Sequence, residues 1–185
     1  MKNKRIDIKQ ICLIAMMSAV ITVCSWLSLP IMTVPVTLQT FAVFLTLLVC
    51  GGRIGTLSIL VYILLGLVGA PVFSGFKGGA GALFSLTDGY IIGFLFMGII
   101  YLITEKLISE SQKAKIISLV IGLFVCYAFG TVWFVLIYNE GESAISVKNA
   151  LTLCVLPFII PDLIKLVLSV FLSKLLKTAL EKVSG

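Results

Sequence analysis

One long stretch without charge constrains this chain more than any other feature. The 43 residues from Gln10 to Gly52 include no Asp, Glu, Lys or Arg, and about 20 apolar residues suffice to cross a bilayer as a helix. Of the 185 residues, 60% are apolar and 12% are charged, against about 45 to 50% and about 25% in soluble domains. A soluble domain of this size cannot bury so much apolar surface. The sequence therefore predicts an all-α integral membrane protein.

Six membrane-spanning segments emerge where proline, glycine or charge interrupts the apolar runs. We predict them at about 11–29, 37–49, 53–68, 86–106, 113–138 and 161–177, within a single membrane domain over 1–185. The second and third segments meet at the tight turn Gly51-Gly52. The connections 30–36, 69–85 and 139–160 then fall on one side of the membrane.

The stretch from Ser146 to Leu156 is apolar, but its 11 residues are too few to cross the bilayer. We interpret it as an interfacial or re-entrant segment. The alternative joins it to the last segment as one long helix that is kinked at Pro157 and Pro161. Both interpretations keep six crossings.

The basic residues predict the orientation. Eleven of the 14 Lys and Arg residues fall on the side of the two termini, Lys77 and Lys148 fall on the opposite side, and Lys165 lies within the last segment. Because cytoplasmic loops are enriched in Lys and Arg, we predict a multi-pass protein of the cell membrane with both termini in the cytoplasm. The net charge of +6 sits at the ends of apolar runs. It therefore indicates contact with membrane lipid and no nucleic acid partner.

The sequence has few of the residues and motifs that form metal, cofactor or catalytic sites. It contains no histidine, and its five cysteines form no Cys-x-x-Cys pair, so we expect no zinc or haem site. It has no Gly-Lys-Ser/Thr of an ATP-binding loop. An integral-membrane enzyme with Asp162 and Lys165 as acid and base lacks a nucleophile at a recognisable spacing from a base. We predict no catalytic residue, no metal and no cofactor.

Asp162 and Lys165 are the strongest functional candidates. Their spacing of three residues puts both side chains on one face of a helix that is otherwise Leu, Ile and Val. A charge in hydrocarbon is costly, so both side chains must face protein, water or a ligand. If Pro161 is the first helical residue, the positive end of the helix dipole also favours Asp162. A purely structural ion pair is the alternative.

Polar residues at the outer starts of two other segments fall at the same membrane level as Asp162. They are Thr37, Gln39 and Thr40 in the second segment, and Thr87, Asp88 and Tyr90 in the fourth. Singly, such residues often join helices or lie at the membrane interface. Together they predict a mostly apolar pocket with a few donors and acceptors, which is typical of a small-molecule site.

The outer connection from Gly66 to Gly81 has six glycines in 16 residues and includes Phe73, Phe76 and Gly79. Glycine permits unusual backbone angles and close approach to a ligand. Since the two aromatic side chains also need something to bury them, we predict a lid over the pocket. A flexible surface loop is the alternative.

Four motifs in this chain resemble one known family. They are Val34-Pro-Val-Thr-Leu-Gln-Thr40, Gly69-Ala-Pro-Val-Phe73, Gly89-Tyr90 and Leu156-Pro-Phe-Ile-Ile-Pro-Asp-Leu-Ile-Lys165. In this order, and over nearly the whole chain, they resemble the BioY family, the biotin-specific S components of energy-coupling factor transporters. The resemblance implies the S-component fold with six transmembrane helices. It also implies high-affinity capture of biotin from the extracellular side for an ATP-driven importer.

The resemblance further implies partners for the chain. They are a transmembrane coupling subunit and two cytoplasmic ATPase subunits, which would supply the energy. Ala15-Met-Met-Ser-Ala19 matches the Ala-x-x-x-Ala pattern by which the first helix of S components contacts the coupling subunit. The alternative from the residues themselves is a solitary carrier driven by an ion gradient, with Asp162 as a proton relay. Such carriers usually have two similar halves, and no convincing internal repeat occurs here.

Carried over residue by residue, the resemblance implies a set of ligand contacts. Asp162 and Lys165 are the strongest, and the weaker ones are Gln39, Thr37, Tyr90, Phe73 and Gly79. The family tends to have Gly-Pro-Thr-Gly-Gly-Tyr where this chain has Ser85-Leu-Thr-Asp-Gly-Tyr90. Leu86 and Asp88 are therefore excluded from the predicted site.

Overall fold

The structure is a computed structural model that describes residues 7–29, 36–108, 111–139 and 145–184. Its elements in chain order are α1 (Ile8–Trp26), β1 (Ser28–Leu29), β2 (Val36–Thr37), α2 (Gln39–Leu67), α3 (Ala80–Leu83), α4 (Gly89–Leu107), α5 (Gln112–Asn139), α6 (Val147–Cys154) and α7 (Leu156–Ser184). Five helices, α1, α2, α4, α5 and α7, are long and apolar enough to cross a membrane. The predicted all-α membrane class is confirmed. Most of the predicted connection 30–36 and residues 140–144 lie outside the described residues.

Helix α1 begins at a capping box and ends near α2. The Asp7 carboxylate accepts a hydrogen bond from the N–H of Ile8 at 2.7 Å, and the Gln10 side chain accepts one from the N–H of Asp7. This exchange satisfies backbone donors that the first turn leaves free. At the other end, β1 pairs antiparallel with β2, with Ser28 opposite Thr37. The short pair therefore holds the end of α1 and the start of α2 together.

Helix α2 folds back on itself at the predicted glycine turn. Gly51 has φ 77° and ψ 172°, which interrupts the helix, and only glycine adopts such angles readily. The two arms then run antiparallel, as the hydrogen bond from the Gln39 amide to the Tyr62 hydroxyl across the hairpin shows, at 2.8 Å. A Cβ at Gly55 would lie 3.1 Å from the Cα of Leu47. The five long helices therefore provide the six crossings that the sequence predicts.

Close helix packing depends on glycine along α4 and α5. A Cβ at Gly93 would lie 3.0 Å from the Cα of Cys126, and one at Gly122 would lie 3.1 Å from the Cα of Met97. Small residues permit this close backbone approach, which supplies dispersion contacts that membrane helices depend on. The core around this contact includes Phe44, Leu47, Ile59, Tyr62, Met97, Tyr101 and Leu119, all at most 1% exposed.

The last helix begins earlier than its predicted start at Pro161. Helix α7 starts at Leu156 with Pro157 in its first turn, where a missing N–H is tolerated, and Pro161 lies inside the helix. Asp162 is therefore not in the first turn, and the dipole support predicted for it is wrong. The stretch before it forms the separate short helix α6, and the break falls at Val155, with φ −121° and ψ −56°. The alternative of one long helix kinked at Pro157 and Pro161 is wrong too.

Candidate ligand-binding site

Two opposite charges of α7 lie buried, and one of them contacts α5. The Lys165 ammonium is 2.8 Å from Asp162 Oδ1, and the two side chains are 7% and 4% exposed. The hydroxyl of Tyr127 donates a hydrogen bond to Asp162 Oδ2 at 2.6 Å. Each carboxylate oxygen thus has one described partner, and the geometry of the carboxylate is fixed from two sides. An ion pair held this way keeps unused lone pairs on Asp162 and unused N–H groups on Lys165.

The pair borders a cavity that other helices complete. Thr37 and the start of α2 contribute polar groups, α4 and α5 contribute mostly apolar walls, and α6 and α7 close the remaining side. The described residues that line it are Thr37, Gln39, Thr40, Ser74, Thr87, Asp88, Tyr90, Ile91, Phe94, Leu123, Cys126, Tyr127, Cys154, Phe158, Asp162 and Lys165. An apolar cavity with a few converging polar groups is the usual form of a small-molecule site.

The arrangement of the pair selects a particular ligand chemistry. An acceptor on Asp162 and a donor on Lys165 stand side by side, 2.8 Å apart. A ligand edge with an N–H beside a C=O, as in a cyclic amide or urea, can bond to both at once. Hydrogen bonds to charged groups contribute about 1.5 to 3 kcal/mol each. The cavity therefore suits a neutral heterocycle of this kind.

Five of the seven predicted ligand contacts converge on this cavity: Thr37, Gln39, Tyr90, Asp162 and Lys165. Tyr90 packs its ring against Gly130, where a Cβ would lie 2.2 Å from the ring, and its hydroxyl lies 3.2 Å from the hydroxyl of Thr131. Gln39 is oriented by Tyr62 through the hydrogen bond across the hairpin of α2. Packing and hydrogen bonds therefore position these side chains without a ligand.

Phe73 and Gly79 are not among the described residues that line the cavity. Phe73 is 2% exposed and packs edge-on against Tyr62, with ring centroids 5.5 Å apart. Its ring fills space that Gly66 leaves, since a Cβ there would lie 2.0 Å from the ring. The N–H of Gly79 donates to the carbonyl of Gly66 at 2.7 Å. In this structure both residues anchor the loop to the end of α2, and their contact with a ligand stays a prediction.

The glycine-rich loop is attached to α1 as well. The hydroxyl of Ser25 donates to the carbonyl of Val72 at 2.5 Å, and the indole N–H of Trp26 donates to the carbonyl of Pro71 at 2.9 Å. The ring of Phe76 stacks on Trp26 with ring centroids 4.9 Å apart, but Phe76 stays 64% exposed. Fixed in this way, the loop brings Ser74 to the cavity.

The sequence analysis did not predict several of the lining residues, and for one of them the sequence contains a spacing that could have revealed it. Phe158 precedes Asp162 by four residues, which places both on one face of α7, but the predicted start at Pro161 hid this spacing. Tyr127 had no comparable signal, because its partner Asp162 lies 35 residues away along the chain. Asp88, which the family pattern led us to exclude, lines the cavity. Leu86 is not among the described lining residues.

The predicted partner-contact residues lie on α1, which contributes none of the described residues that line the cavity. Ala15 and Ala19 are exposed, and exposed Ile11, Met16 and Val23 extend the same apolar face of α1. Their spacing of three or four residues is that of one helix face.

In the described residues, no group of three His, Cys, Asp or Glu side chains could hold a metal ion.

Fold and cavity together define a class: a helical membrane protein that holds a pocket for a small polar heterocycle near one end of its bundle. Comparison with protein families matches residues 1–182 to the BioY family. The chain belongs to the BioY family.

Individual relatives agree with this assignment. The chain is 41% identical over 161 residues to a biotin transporter BioY of Thermotoga maritima, covering 86% of this chain and 90% of the relative. It is 36% identical over 169 residues to a probable biotin transporter BioY of Pyrococcus horikoshii, with 91% and 96% covered. Among solved structures, it resembles the S-component for biotin from an ECF-type ABC transporter, with a TM-score of 0.80, 27% identity, and 96% and 95% of the two chains covered. The predicted S-component fold is confirmed.

Proposed function

We propose that this protein binds biotin and mediates its uptake as the substrate-binding S component of an ATP-driven importer. The observation that carries the proposal is the buried pair of Asp162 and Lys165, fixed by Tyr127 and open to a cavity. The names of the relatives support biotin as the solute. A family of transporters also argues against the enzyme that uses the same two residues as acid and base.

Biotin carries the chemical groups that this pair can recognise. On its ureido ring each N–H lies beside the carbonyl oxygen, so one edge offers a donor and an acceptor together. Asp162 accepts from the N–H, and Lys165 donates to the carbonyl. Since both groups are already withdrawn from water, little desolvation of the protein opposes the contact, which favours tight binding.

The remainder of the cavity suits the remainder of the ligand. Apolar side chains of Phe94, Leu123 and Phe158 offer contact area to the thiophane ring and the aliphatic chain, at about 25 cal/mol per Å² of buried apolar surface. Gln39 and Tyr90 are available to polar atoms between the two ends. The polar contacts fix orientation, and the apolar walls supply most of the affinity.

The energy for transport comes from other subunits in this proposal. The similar solved structure belongs to an ECF-type ABC transporter, and the chain lacks the Gly-Lys-Ser/Thr of an ATP-binding loop. A transmembrane coupling subunit and two cytoplasmic ATPases fill this role. The exposed face of α1 with Ala15 and Ala19 is the surface for the coupling subunit, because small residues let another helix approach closely. The distribution of Lys and Arg supports cytoplasmic termini and entry of biotin from outside.

Calorimetry on the purified protein without ATP tests the binding function. Biotin should bind with a stoichiometry of about one. Lipoate is the matched control, because it has a sulfur ring and a carboxylate chain but no ureido group, and it should give no heat. Equal binding of biotin and lipoate, or no binding of biotin, would overturn the proposal.

The role of α1 is tested by Ala15→Trp. We expect this variant to bind biotin like the wild type and to lose co-purification with the coupling subunit, because an indole blocks close helix approach. Leu168→Trp on the exposed side of α7 is the control and should keep the complex. Retained complex formation by Ala15→Trp would remove α1 from the interface.

A separate experiment tests the solitary carrier. Biotin accumulation under a pH gradient by vesicles that contain this chain alone would favour that alternative.

A further inference from the structure

A second acidic side chain lies at the cavity, away from the buried pair. Asp88 precedes α4 and lines the cavity with Ser74 and Thr87. Across the contact of α4 and α5, Gly93 faces Cys126, the neighbour of Tyr127. Asp88 lies five residues before Gly93, which is about 7.5 Å further toward the outer end at 1.5 Å per residue. The cavity therefore has an inner end with Asp162 and an outer end with Asp88.

The surroundings of Asp88 hold its carboxylate in place but do not neutralise it fully. The hydroxyl of Ser85 donates to Asp88 Oδ2, and the carbonyl of Ser85 accepts from the indole N–H of Trp133 at 3.2 Å. Lys77, on the exposed side of the loop, attracts the carboxylate through its charge. Tyr62 of α2 also lies within electrostatic reach. Asp88 is therefore an oriented anion at the cavity mouth.

We propose that Asp88 is a specificity-determining residue, whose charge opposes an anionic tail on the ligand at the outer end of the cavity. This inference rests on the proposed function: with the ureido ring at Asp162 and Lys165, the carboxylate of biotin extends toward Asp88. Two carboxylates at close range disfavour each other. Binding of the anionic ligand is therefore strongest when Asp88 is neutral or replaced.

The protonation of Asp88 makes this effect depend on pH. Burial raises the pKa of the Asp88 carboxyl, and the hydrogen bond from Ser85 and the charge of Lys77 lower it by less. The charge of Asp88 therefore falls as the pH is lowered, and an alkyl carboxylic acid such as biotin has a pKa near that of Glu, about 4.3. Affinity for biotin should therefore rise as the pH falls. The other titratable groups of the cavity are Tyr90, Cys126, Tyr127, Cys154 and the Asp162–Lys165 pair, and replacement of Asp88 alone separates its effect from theirs.

The test compares wild type and Asp88→Asn with biotin and with biotinamide, whose tail is uncharged, between about pH 8 and about pH 5.5. We expect wild-type affinity for biotin to rise as the pH falls, because a larger fraction of Asp88 is then protonated. Asp88→Asn should bind biotin on the order of tenfold more tightly than wild type at about pH 8 and show a flat pH profile. Biotinamide should bind equally to both proteins at both pH values.

Lys77→Gln supplies a second variant with the opposite sign. Loss of this positive charge should weaken biotin binding about threefold and leave biotinamide unchanged. The inference is overturned if Asp88→Asn binds biotin as the wild type does at both pH values. It is also overturned if the variant weakens both ligands equally, since Asp88 then contacts the ligand head or supports the fold. Failure of wild type to bind biotin at any pH overturns the proposed function instead.

Discussion

Two acidic side chains, one toward each end of the bundle, accept hydrogen bonds from a neighbouring helix, and their surroundings differ. Glu105 near the end of α4 accepts a hydrogen bond from the N–H of Gly52 at 2.7 Å. A Cβ at Gly52 would lie 2.6 Å from the Cα of Leu102, so no space remains there. Asp162 instead accepts from Tyr127 and Lys165 and borders a cavity.

The difference separates a structural charge from one poised for a ligand. Glu105 satisfies a backbone donor at the start of the second arm of α2, where the helix dipole favours negative charge. The partner of Glu105 is therefore a backbone N–H group of the protein. Asp162 accepts hydrogen bonds from two side chains and has lone pairs left toward the cavity. A ligand can donate a further hydrogen bond to these lone pairs. Glu105 is half-buried and Asp162 is buried, and the open cavity beside Asp162 is what distinguishes the two roles.

The largest effect is expected for Asp162→Ala, which should weaken biotin binding by about 2 kcal/mol or more, or about 30-fold. Loss of the carboxylate leaves both Lys165 and a ureido N–H without an acceptor. Calorimetry measures the change. Asp7→Ala is the control, since Asp7 also accepts a hydrogen bond, from Ile8 at 2.7 Å, but lies at the start of α1. Near-native affinity for Asp162→Ala would return the pair to a structural role.

An intermediate effect, on stability and not on binding, is expected for Glu105→Ala. The free energy of unfolding should fall by about 1.5 kcal/mol, the value of a hydrogen bond to a charged group, with biotin affinity unchanged. Thermal unfolding of the purified protein measures the first quantity, and calorimetry the second. Glu105→Gln keeps an acceptor for Gly52 and should recover part of the loss. A change in affinity equal to that of Asp162→Ala would erase the distinction between the two sites.

The smallest effect is expected for Tyr127→Phe, which removes one hydrogen bond from Asp162. Biotin binding should weaken by about 1 kcal/mol, because the carboxylate keeps Lys165 but loses its second support. Tyr101→Phe is the matched control: among the described residues its hydroxyl is buried without a hydrogen-bond partner, so its loss should leave both affinity and stability unchanged or slightly improved. Equal affinities of the two variants would show that Tyr127 does not orient Asp162.

Local signals in the chain were sufficient for much of the fold. The apolar runs predicted the membrane helices, and Gly51 supplied the positive φ that folds α2 back. The start of α7 was missed because two prolines, Pro157 and Pro161, compete as first-turn residues, and the sequence does not rank them. Tertiary packing of Phe158 and Val155 favours the earlier start, with both in contact with the core.

The sequence by itself determined that charges lie in connections and at the ends of apolar runs, apart from Asp162 and Lys165 on one face of the last apolar segment. Both facts depend on hydrocarbon length and helical period, which act over a few residues. Only the tertiary structure decided that Tyr127 bonds to Asp162, that Phe73 fills the space at Gly66, and that Asp88 reaches the cavity. Each of these depends on how separate segments pack. Close packing selects one arrangement among many that the same local pattern allows.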